Sequence, residues 1–234
     1  MSGISVPSLP VSDAAHRLGV SDQRVRAMIS AGAVDAQKVA GAWWISAESL
    51  ARVAALNRPA GRPLSPKSAW SLLLIASGEP LTCASSRVRW RASVALSERG
   101  LAESFGRLGN RAARHAFLAH PAELPRLAGR EDLMLGGVSA AATHRLGLQG
   151  GNEVEAYIAA DAIERVAQRH GLVRSSEANV VLRAIPEDMW PVLRRPVAPI
   201  AAVLADLAEH ADPRARRVGH ERAVRLDSVR AANG

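Results

Sequence analysis

The chain has 234 residues, an apolar fraction of 48% and a formal net charge of +8, enough to build one large core or two to three small ones and to suit a polyanionic partner. No apolar run approaches the roughly 20 residues of a membrane-spanning helix, and MSGISVPSLP lacks a basic region followed by an apolar stretch. A single cysteine, Cys83, excludes an internal disulfide and a Cys-based zinc cluster, so the expectation is a cytoplasmic globular protein with no membrane contact, no cofactor and no metal.

Arg outnumbers Lys 28 to 2, so the distribution of charge says more than its total. Residues 1–130 hold 17 basic and 8 acidic side chains, whereas residues 131–234 hold 13 and 14. The front is basic and the back is balanced, as expected if a nucleic acid is bound at the front.

Pro7 and Pro10 keep the first ten residues extended, and they read as a flexible arm. Ser12 stands at an N-cap position before a short helix with Ala15 and Leu18 on one side, and Gly19 supplies a turn. Ser21 then caps a second helix, in which Val25, Met28 and Ile29 share one face, and Gly32 ends it. Val34 to Val39 and Trp43 to Ile45 read as two strands around Ala40-Gly41-Ala42, and Ser46 caps a third helix carrying Leu50, Val53 and Leu56. Residues 11–56 therefore have the pattern of a winged helix-turn-helix.

At 100° per residue, the face of the second helix opposite Val25 and Ile29 carries Gln23, Ala27 and Ser30, with Arg24 and Arg26 on its shoulders. Gln pairs bidentately with adenine, Arg pairs with guanine or grips phosphate, and Ala27 leaves room to enter the major groove. An ordinary solvated helix face would carry the same residues. The glycine turn, the Ser21 cap and the hairpin favour DNA.

Ala14-Ala15, Leu18-Gly19-Val20-Ser21, Val25, Ile29, Gly32 and Trp43-Trp44-Ile45 resemble the helix-turn-helix of excisionases and MerR-type regulators. The wing departs from that pattern, because Gly41 and Ala42 rather than arginines precede Trp43, leaving Lys38 as its one cation. Trp43 is expected in the core, with Trp44 on the other side of the strand as a candidate contact.

Residues 57–66, NRPAGRPLSP, read as a linker, and Ser65-Pro66 opens the next helix with Trp70, Leu73 and Leu74 inside. Residues 67–150 form a basic helical region. TCASSRVRWRASVALSERG is helical in its second half, and Arg87, Arg89 and Arg91 around Trp90 are candidates for a second phosphate-binding surface. His115 to His120 reads as a strand, Pro121 to Leu127 as a helical turn and Val138 to Arg145 as a helix. Residues 151–234 form an α+β region. Val154, Ala156 and Ile158 alternate as a strand, Asp161 and Glu164 make a capping box, Ala178 to Ile185 is a strand, and two helices start at Pro199 and at Asp212-Pro213. The expected class is α+β, mostly helical, with a winged helix-turn-helix followed by a mixed α/β C-terminal region.

No enzyme is legible. His16, His115, His120, His144, His170, His210 and His220 form no metal-ligand spacing, and no P-loop, G-x-G-x-x-G or G-x-S-x-G motif occurs. Gly136-Gly137-Val138-Ser139 reads as a helix-start turn.

The back half resembles the AbiEi-type antitoxins of type IV toxin-antitoxin systems, through Glu153-Val154-Glu155-Ala156-Tyr157-Ile158, Ala178-Asn179-Val180-Val181-Leu182-Arg183, Pro186, Trp190, Val197-Ala198-Pro199, Ala205-Asp206-Leu207-Ala208-Glu209 and Asp212-Pro213-Arg214-Ala215. The resemblance implies an autoregulating transcriptional repressor that binds double-stranded DNA at an inverted repeat near its own promoter. One recognition helix contacts only a few base pairs, so specificity calls for two copies on one site or help from a second basic surface, and a dimer on DNA is expected. It also implies an antitoxin opposing a nucleotidyltransferase-like toxin. The alternative is an excisionase-like architectural or recombination-directing protein, against which the long back half argues.

Overall fold

The computed structural model describes residues 8–18, 20–30, 33–56, 62–80, 85–150 and 152–232. The chain is α+β, and it divides into two compact units, Met1–Pro59 and Ala60–Gly234.

The first unit runs β1 (Ser8–Pro10), α1 (Val11–Leu18), α2 (Asp22–Ser30), β2 (Ala36–Val39), β3 (Ala42–Ser46) and α3 (Ala47–Leu56). Its antiparallel sheet has the order β1-β3-β2. Between β2 and β3 the chain turns at Ala40 and Gly41, both at positive φ (49° and 83°), the conformation whose twist suits a two-residue hairpin. Val11, Ala14, Ala15, Val25, Val34, Ile45 and Leu50 form a small core, with Met28, Ile29 and Trp43 at its edge. Ser21 Oγ accepts from the Arg24 amide at 3.3 Å, and Ser46 Oγ accepts from the Ser49 amide at 3.3 Å, so both caps form as expected.

Two expectations in this unit are corrected. The end of the N-terminal arm is a strand, with Leu9 opposite Ile45, because the outer edge of β3 has backbone groups to pair. Helix α1 begins at Val11, so Ser12 lies inside it and bonds to Asp13 at 3.4 Å rather than capping. The turn glycines Gly19 and Gly32 lie outside the described residues.

The second unit contains α4 (Pro66–Ala76), α5 (Ser86–Ser104), β4 (Ala113–Leu118), α6 (Leu124–Ala128), β5 (Met134–Leu135) and β6 (Val154–Ala159). It continues with α7 (Ile163–Arg169), β7 (Val173–Arg174), β8 (Val180–Ile185), α8 (Trp190–Leu193), α9 (Ile200–Ala208) and α10 (Pro213–Ala232). One sheet of order β5-β6-β8-β4-β7 runs through it. Strands β6 and β8 are parallel, and β4 is antiparallel to both β8 and β7. One face packs Phe117, Val154, Ala156, Ile158, Val180 and Leu182 on α6 and α7. The other places Met134, Tyr157 and Ile185 in a larger core with α4, α5, α9 and α10. Every residue of β8 is therefore buried, as expected of a strand covered on both faces.

The expected division at residue 150 is not a boundary, because β4 and β5 share their sheet with β6 and β8. The second unit folds as a piece. Helix α5 begins at Ser86, earlier than expected, with Ser85 Oγ accepting from Val88 N at 3.4 Å. It breaks at Gly100, where φ is 76° and the Leu101 amide donates to Asp227 of α10 at 2.7 Å. The expected helix from Val138 to Arg145 is a 3-10 turn, Gly137–Ala140, followed by irregular turns. The Asp161/Glu164 capping box does not form: a 3-10 turn at Ala160–Ala162 precedes α7, whose N-cap Ala162 has no capping side chain.

Candidate nucleic-acid interface

Helix α2 turns Val25 fully into the core and leaves Ser21, Gln23, Arg24, Arg26, Ala27 and Ser30 exposed. Local chemistry sets this arrangement: the Ser21 cap fixes where the helix starts, and Val25 with half-buried Met28 and Ile29 fixes its rotation. The outward strip thus presents an amide and two guanidinium groups beside the small Ala27, a surface able to approach base edges closely. Ser30 Oγ donates back to Arg26 O at 3.1 Å, which leaves both of its lone pairs to accept from a ligand.

On the hairpin, Lys38 is exposed and lies opposite Trp43, while Trp44 is 38% exposed and lies opposite Gln37. Trp43 faces inward with Ile45, as expected. In the second unit Arg87, Arg89 and Arg91 are exposed on α5. The expected site residues therefore fall into two groups, one in each unit.

A buried ion network, not foreseen from sequence, lies on one face of the large sheet. Arg111, in the 3-10 turn Gly109–Arg111, forks onto Glu209 with Nη1 to Oε1 at 2.5 Å and Nη2 to Oε2 at 2.8 Å. Its Nη2 also donates to Asp206 Oδ1 at 2.8 Å, and its Nε to the Tyr157 hydroxyl at 3.1 Å. Tyr157 in turn donates to Asp206 at 2.6 Å, and Arg183 Nη1 donates to Glu209 at 2.9 Å. Arg183 Nε lies 3.0 Å from Asp206 Oδ1, close enough to pair its charge though its N–H is not aimed for a hydrogen bond. Burial raises Tyr157, and the adjoining Asp206 carboxylate raises it further.

The glycine turn belongs to this network. Gly137 N donates to Asp206 Oδ2 and Val138 N to Glu155 Oε2, both at 3.1 Å, while Ser139 Oγ accepts from Glu155 N at 2.9 Å. A Cβ on Gly137 would lie 1.4 Å from Glu155 Oε2. The turn cradles the chain's own carboxylates. Burial raises Glu155, which Arg183 only partly offsets.

No family model, curated protein or solved structure matches the chain. An open cavity of about 330 Å³ lies at the carboxyl ends of β6 and β8, lined by Asp132, Asp161, Arg165, Glu187 and Trp190 among others. Among the described residues no group of three or more His, Cys, Asp or Glu is placed to hold a metal ion, and no helix is long and apolar enough to cross a membrane. The ionisable groups of the network face one another in the interior, where they join α9 to the sheet. The α2 strip has the opposite character, with its donors turned outward.

Proposed function

We propose that the first unit is a winged helix-turn-helix and that the protein is a sequence-specific DNA-binding repressor. The observation that carries this reading is the outward strip of α2, where Gln23, Arg24, Arg26, Ala27 and Ser30 are exposed around a helix anchored by buried Val25. In this role α2 enters the major groove, Gln23 and Arg24 read bases, and Lys38 on the hairpin meets the phosphate backbone. Arg87, Arg89 and Arg91 add sequence-independent attraction. One such helix contacts only a few base pairs, so two copies occupy an inverted repeat with half-sites about one helical turn apart or a multiple of it.

The resemblance of the second unit to AbiEi-type antitoxins supports the further reading that the repressor regulates its own promoter and opposes a nucleotidyltransferase-like toxin. Footprinting of the full chain on DNA upstream of its own gene tests the first part, with two protected half-sites expected. One short unrepeated site overturns the paired geometry, and no protection overturns the repressor. Expressing the adjacent gene alone and with this chain tests the second part: growth arrest relieved by the chain supports it, and a harmless neighbour removes it.

A further inference from the structure

Trp90 is 65% exposed on α5, although the same helix buries Ala92 and Leu96 on its other side. At 100° per residue, Ser86, Arg87, Ser93, Val94 and Ser97 share the outward face with Trp90, and Arg91 lies at its margin. Of these, Ser86, Arg87, Arg91 and Ser97 are exposed, and Ser93 and Val94 are half-buried. One aromatic ring thus stands among hydroxyls and cations.

We infer that this face of α5 binds unpaired nucleic acid, with a base stacked on the Trp90 indole and Arg87 and Arg91 holding the neighbouring phosphates. Arg87 and Arg91, four residues apart, have Cβ atoms about 6 Å from one another and flank the ring on one side. The charge agrees: α5 holds four arginines and two acidic residues. A helix that docks into a protein groove presents several apolar anchors at i, i+3, i+4 and i+7; here i+3 and i+7 from Trp90 are Ser93 and Ser97, and the one apolar neighbour, Val94 at i+4, is half-buried. An intact duplex offers no free base face without unstacking, whereas every base of a single strand offers one. The surface goes beyond the proposed repressor function and uses no residue of the first unit.

The test is binding of a labelled oligothymidylate, and of a duplex of the same length lacking the operator, to the full chain and its variants. The single strand should bind more tightly than that duplex, and Trp90→Ala should weaken it about tenfold, the worth of one base–aromatic stack. Trp90→Phe should recover most of the loss. Arg87→Ala with Arg91→Ala should reduce the slope of log affinity against log salt by about 1.4. Circular dichroism of Trp90→Ala should match the parent, since the ring is exposed. Equal binding of single strand and duplex overturns the inference, as does unchanged binding by Trp90→Ala. So does an acidic protein partner whose capture alone depends on Trp90. Arg24→Ala separates the two readings, because it should weaken the operator and leave single-strand binding unchanged.

Discussion

Asp206 Oδ1 and the Arg111 guanidinium meet at 2.8 Å with both side chains essentially excluded from solvent. Helix α9 is thereby fastened to the turn that leads into β4. Removing one partner strands the other as a buried charge, so Asp206→Ala should cost about 3–5 kcal/mol, read as the loss in urea unfolding free energy of the second unit. A loss under about 1 kcal/mol would show that Glu209 alone can satisfy Arg111. Replacing Arg111 and Asp206 together by Met and Leu should recover much of the loss, because apolar groups leave less charge unpaired.

Gly137 has φ of 45° and faces the Glu155 carboxylate, whereas Gly78 has φ of 71° with open space around its Cβ position. Gly78→Ala should cost only the left-handed backbone term, about 1–2 kcal/mol. Gly137→Ala adds displacement of a buried carboxylate and loss of its bond from Val138, and should lower the melting temperature considerably more. Equal shifts in thermal unfolding would mean that the turn yields without strain.

Burial by itself would raise the Glu209 carboxyl, but Arg111 and then Arg183 outweigh it and hold it down at about 2, against the usual 4.5. A depressed carboxylate stabilises the fold above its unfolded value and loses that effect as pH falls toward the folded value. The Glu209 contribution is therefore complete above pH 4.5 and disappears between 4.5 and about 2. Glu155 is shifted the other way, so its effect weakens the fold as pH rises through its elevated value. Denaturant midpoints across the acid range should show a shallower pH dependence for Glu209→Gln than for the parent. An unchanged slope would place the acid-sensitive group elsewhere.

With α2 reading an operator as proposed, Arg24→Ala should cost about 1–3 kcal/mol and relax preference at one base position. Lys38→Ala should weaken all sequences alike and reduce the salt slope by about 1. Competition binding with single-base operator variants at several salt concentrations distinguishes the two. Unchanged preference in Arg24→Ala would move base reading away from α2.

Local chemistry was legible in the sequence. Ser21, Ser46 and Ser65 cap where read, and Asp212-Pro213 opens α10, because each signal and its response lie within a few residues. The outward strip of α2 follows from the inward positions of Val25, Met28 and Ile29. Interactions across the chain were not legible: Gly136-Gly137 opens a short 3-10 helix where the sequence reads as a helix start, but the carboxylates it cradles, Glu155 and Asp206, are remote in sequence. A signal did exist, since Arg183 interrupts the apolar run VVLRAI and Asp206 interrupts IAAVLADLA. Charges set in otherwise buried segments call for partners of opposite sign. The alternation of Val154, Ala156 and Ile158 suggested one buried face, yet Glu155 and Tyr157 between them are buried as well, because the network occupies the other side.

Strand β4 lies between β8 and β7, both of which follow it in the chain. On the ribosome, Phe117 has no strand to pair with until Arg174 has been made and joins the rest of the sheet only with Val180, and Arg111 has no carboxylate until Asp206 follows. Helices α4 and α5 can pair early, since they are neighbours in sequence, but the sheet must close late. An emerging chain therefore carries an unpaired strand edge through much of its synthesis, and the second unit should be more vulnerable to aggregation while being made than after it has folded.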